Sequence, residues 1–103
     1  MGLSIIGRAA SLYAVFGTGI AVAYNVSSVS NPIVGSYVVT LTLPGQQAIG
    51  VVTVNCSDPE AIPSGTFTGA AEITVTFRRT DGSLLNPSNG SIIMLSAEFG
   101  LVT

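Results

Sequence analysis

The chain has 103 residues, of which 8% are charged: three Arg, no Lys and five acids, with no His and one Cys. About a quarter charged is usual for a soluble domain, and the mean hydropathy of +0.66 is correspondingly high. This composition excludes zinc or triad chemistry of the usual kind, a disulfide-stapled scaffold, and phosphate-backbone binding of nucleic acid by three scattered cations.

Residues 12–25, LYAVFGTGIAVAYN, admit two readings. A secretory signal would use the apolar run and the Ala21-Val22-Ala23 ending, but two Gly and a Thr interrupt it where a signal helix is continuous. The preferred reading is a hairpin: SLYAVF, a Gly17-Thr18-Gly19 turn tolerant of positive φ, then IAVAYNVSSV as the returning arm. The apolar leader MGLSIIG, within residues 1–8, is read as a segment for docking on another protein surface or a neighbouring subunit; its plainer alternative is an ordinary first strand.

SNPIVG (30–35) reads as a turn. SYVVTLTL (36–43) alternates, with Tyr37, Val39, Leu41 and Leu43 on one face, and is predicted as a half-buried strand. A turn over 44–48 and a strand over 49–56 follow. SDPEAIPSGTFTGA (57–70) is read as one long surface loop, with Asp58, Glu60 and Phe67 facing receptor or solvent. AEITVTFRR (71–79) alternates most cleanly: Ile73, Val75 and Phe77 against Glu72, Thr74, Thr76 and Arg78. The stretch 80–90 carries Asp-Gly and Asn-Gly turns. In SIIMLSAEF (91–99), Ile92 to Leu95 are apolar on both faces, which predicts a strand covered on both sides.

The sum is an all-β chain: a single small antiparallel β-sandwich, jelly-roll-like, of about six to eight strands, spanning 1–103 as one domain. No apolar run reaches the eighteen residues of a membrane span. The acids suggest no site. Asp58 and Glu60 read as a solvated loop, and Glu72 and Glu98 as partners of an Arg such as Arg78. No catalytic, cofactor-binding or metal-binding residue is assigned, and the chain is not expected to be an enzyme. A surface so poor in charge points to self-association. Cys56 reads as a small buried hydrophobe in a chain folded in a reducing compartment.

The order of elements resembles a small β-sandwich module of tail fibres and other exposed virion proteins of tailed bacteriophages. The residues that carry the resemblance are Arg8, Tyr13 and Phe16, the Gly-Thr-Gly turn, Asn25 to Ser28, then Gly35, Tyr37 and Val39, and finally Asp81-Gly82 and Phe99-Gly100. Tyr13 departs from the pattern, standing where the module carries Trp. The fibre versions end a long shaft, and none is visible here.

The resemblance implies a structural, non-enzymatic virion component, assembled in the host cytoplasm. It would be a homotrimer partnered by the major capsid protein or other virion proteins, with Ile92 and Met94 at the threefold contact. The leading expectation is a capsid decoration or cement protein on the head. The alternatives are a short tail fibre or tail-tip protein contacting the host, and an exported bacterial pilus-like or surface subunit assembled by strand exchange.

Overall fold

A computed structural model describes residues 3–43 and 50–102. Of residues 3–8 and 99–102 it describes the backbone alone. The predicted turn over 44–48 falls outside the described residues.

Alternation at a period of two makes the core. In strand β7 (Glu72–Arg78), Ile73, Val75 and Phe77 are buried while the residues between them face outward. Strand β4 (Ser36–Leu41) does the same with Val39 and Leu41. Strand β8 (Ile92–Val102) buries Ile93, Leu95 and Ala97, and strand β1 (Leu3–Val15) buries Ala10 and Leu12. Those side chains meet between two four-stranded sheets. The first has the order β2-β1-β8-β5 and the second β3-β4-β7-β6, where β2 is Gly19–Tyr24, β3 Val26–Ile33, β5 Gly50–Cys56 and β6 Ile62–Gly69. Every hydrogen-bonded pair is antiparallel. The fold is thus the expected small β-sandwich, with eight strands.

The stretch 12–24 folds as the β1–β2 hairpin. Gly17 (φ 87°) and Gly19 (φ 124°) supply the left-handed backbone of the turn. The returning arm is not one strand, as the sequence suggested. It breaks at Asn25, which takes φ 58° and sends the chain from the first sheet to the second. Asn is among the few residues besides glycine that visit this conformation. Here Nδ2 donates to the Ala9 and Leu43 carbonyls at 2.8 and 3.0 Å, and Oδ1 accepts the Leu43 N–H at 2.8 Å.

From Leu3 onward the leader is the start of β1, paired with β8 out to Leu3↔Val102, as its plainer reading had it. One further expectation is corrected. The loop 57–70 is mostly strand, since β6 occupies Ile62–Gly69 and leaves 57–61 as the loop. Pro63 and Gly65 hid it. Proline is tolerated there because β6 is an edge strand. Glycine is required because a Cβ at position 65 would lie 2.7 Å from Val52 Cγ1 and 2.9 Å from Val54 Cγ2. The stretch 80–90, read as turns, contributes to the interior. Leu85 is buried, and Asn86 Oδ1 accepts the Gly35 N–H at 2.9 Å and the Tyr37 hydroxyl at 2.8 Å. Tyr37 in turn stacks edge-on to Phe16 and Phe77, at centroid separations of 6.1 and 5.7 Å.

Candidate assembly surface

The two outer faces of the sandwich differ in chemistry. On the second sheet, cross-strand pairing aligns Ser30, Val38, Thr74 and Thr66 in one row, and Ser36, Thr76 and Ser64 in the next. Thr68 Oγ1 hydrogen-bonds Thr74 Oγ1 and Glu72 Oε1, both at 2.9 Å. This face is rich in hydroxyls, with Ile62 exposed at its β6 edge.

On the first sheet, the register aligns Val22, Tyr13, Met94 and Asn55 across β2, β1, β8 and β5. The neighbouring rows add Tyr24 and, through the Val15↔Ile92 pair, Ile92. Ile92 is 39% exposed, Met94 51% and Val22 68%, although β8 is a central strand. Ile92 and Met94 therefore lie where the apolar run on both strand faces put them: pointing outward, with Ile93 and Leu95 pointing into the core. In the single chain, that outer face is uncovered rather than covered. The charged residue on the described part of this face is Glu98, four positions along β8 from Met94, and it accepts from Ser96 Oγ at 3.3 Å.

The lateral flanks differ as well. Where β5 lies over β6, Val52 and Val54 press on Gly65, and the Phe67 ring covers Gly50. On the opposite flank, all six residues of β2 and all but the first of β3 are exposed. A cleft of about 420 Å³ runs between the sheets there, lined by Leu12, Ala14, Val39 and Phe77, with exposed Ile20 and Val29 at its rim.

The remaining residues singled out in the sequence are scattered. Phe67 is not in a loop; it sits half-buried in β6 against the core. Glu60 is exposed in the short loop 57–61. Asp58 ties that loop to the one before β8: Oδ2 accepts the Ser88 N–H at 2.9 Å and the Ser88 hydroxyl at 3.0 Å, and Oδ1 accepts the Glu60 N–H at 3.0 Å. The Ser88 backbone bond, then the Glu60 one, holds its carboxyl below the ordinary 3.8. Because the folded value is the lower one, this stabilisation is complete above 3.8 and is lost as the pH falls through the depressed value. Denaturant unfolding between about pH 5 and pH 2 checks this: stability should fall less steeply in Asp58→Asn than in the parent, and identical slopes would contradict it.

Among the described side chains, Glu72 and Glu98 take hydroxyl partners, while Arg78 donates to the Gly82 carbonyl at 2.8 Å. Cys56 is half-buried against the core, and burial pushes its thiol up. Among the described residues no three His, Cys, Asp or Glu side chains converge, and no helix is long and apolar enough to cross a membrane.

No protein-family model, no curated protein and no solved structure matches this chain.

Proposed function

We propose that this protein is a structural subunit of a tailed-bacteriophage particle, a homotrimer decorating the head. The observation that carries the structural reading is the contrast between the two outer faces. One is rich in Ser and Thr; the other presents Val22, Tyr24, Ile92 and Met94 together. Contiguous exposed apolar surface of this kind marks a contact site. A central strand with outward-facing Ile and Met fits a subunit whose first sheet turns toward its copies and whose second sheet turns toward water. The placement on a phage particle is supported by the motif order from Arg8 to Gly100. Decoration of a lattice suits a small domain, since many identical sites supply the avidity that one small contact lacks.

Quantitative mass spectrometry of purified particles tests this. A copy number of the same order as the major coat protein is the expected result. A few copies per particle would move the subunit to the tail, and absence from particles would overturn the virion reading.

A further inference from the structure

On the β2–β3 flank, two side chains point toward the interior without reaching a partner. Ile20 of β2 stands opposite Ala14 of β1, which packs against the core, and Val29 of β3 stands opposite Val39 of β4, which is buried. Residues directly opposite on neighbouring strands share a face of the sheet. Ile20 and Val29 are therefore on the core-facing sides of their sheets, yet they are 47% and 38% exposed. On the other flank the interior is closed, with Val52 and Val54 against Gly65. The gap between Ile20 and Val29 is the mouth of the 420 Å³ cleft, whose walls include the buried Leu12, Leu95 and Phe77. Ala14, Gly17 and Gly19 leave room on the first-sheet side.

The lining restricts what can occupy this space. Among the described residues no charged side chain lines it, and Tyr37 is the one with a polar group. The Tyr37 hydroxyl is already donated to Asn86 Oδ1 at 2.8 Å. An ordered water needs two to four polar partners, which this lining does not offer. A charged ligand group would lose its hydration with no side chain to replace it. The cleft is instead walled by aliphatic groups and by the edge-on set Phe16, Tyr37 and Phe77. Small-molecule sites have this character, concave and mostly apolar, with volumes of roughly 300–1,000 Å³.

We infer that the cleft is a binding site for one uncharged, apolar small molecule. At roughly 30 Å³ for each water-sized group, the space holds about 14 non-hydrogen atoms. Such a molecule supplies the inner contact that Ile20 and Val29 lack and completes the core at its open flank. The site lies between the sheets, apart from the outer face that carries Ile92 and Met94, so it stands independently of the assembly reading.

The test is a fluorescence titration of the full-length protein with the uncharged probe N-phenyl-1-naphthylamine. One probe should bind per chain, with Kd on the order of 10 µM. 1-Decanol should displace it, and decanoate at pH 8 at least tenfold less well. Val29→Phe, which fills the mouth from an exposed position, should weaken binding tenfold or more; Ile20→Phe does the same from the other rim and serves if the first variant misfolds. Ile92→Asp/Met94→Asp should bind the probe as the parent does. Absence of stoichiometric binding would overturn the site, as would parental affinity in both rim variants. Equal displacement by decanoate would overturn the uncharged class. Loss of probe binding as the protein concentration rises would show a second copy filling the cleft, and would overturn the small-molecule assignment.

Discussion

The double variant Ile92→Asp/Met94→Asp is expected to sediment as a folded monomer under conditions where the parent is a trimer. Both side chains project from the outer face of a central strand, so neither supports the interior of the sandwich. Covering each apolar side chain in an assembly contributes roughly 1–2 kcal/mol. An unpaired carboxylate in the same place costs several more. Together these should weaken association roughly 100-fold or more. Far-ultraviolet circular dichroism should be unchanged. Ile92→Thr/Met94→Thr, which puts a β-branched strand-former at both positions and adds no charge, guards against misfolding and should weaken association by a smaller amount. Unaltered association of both variants would show that this face is not the contact.

Ile73→Ala should give the largest loss of stability of any single truncation considered. Ile73, the second residue of β7, is fully buried and belongs to the core between the sheets. Removing its outer carbons leaves a void that the surrounding strands only partly close, at a cost of about 2–5 kcal/mol. In a domain of this size that lowers Tm by roughly 10–20 °C. Val51→Ala, on the outer face of β5, should move Tm by only a degree or two, roughly 0.5 kcal/mol or less. Comparable losses in the two variants, measured by calorimetry, would contradict the assignment of inner and outer faces.

How much of this was legible in the sequence depended on whether a signal was local. β4 and β7 each carry an alternation and β8 a consecutive apolar run that a single window reveals, and the Gly17-Thr18-Gly19 turn announces itself by residue type. Ile92 and Met94 were legible for the same reason: a strand apolar at consecutive positions must present apolar groups on both faces. β6 was hidden because Pro63 and Gly65 read as loop residues, and only its neighbours, an open edge on one side and Val52 and Val54 against Gly65, make them suitable for a strand. The break at Asn25 was hidden because its three hydrogen bonds go to Ala9 and Leu43, which are distant in sequence. Asn86, surrounded by turn residues, gave no sign that it would accept from Gly35 and Tyr37 some fifty positions earlier.

The open flank was the largest feature out of reach. GIAVAY carries no charged residue and reads only as part of a returning hairpin arm. It is exposed because of where β2 falls in the sheet order, and sheet order is set by pairings between residues far apart in the chain.

The account stands or falls on self-association, and the most direct measurement is sedimentation equilibrium of the parent protein over a wide concentration range. A species of about three times 10.4 kDa is the predicted result. A mass of 10.4 kDa at every concentration would contradict it.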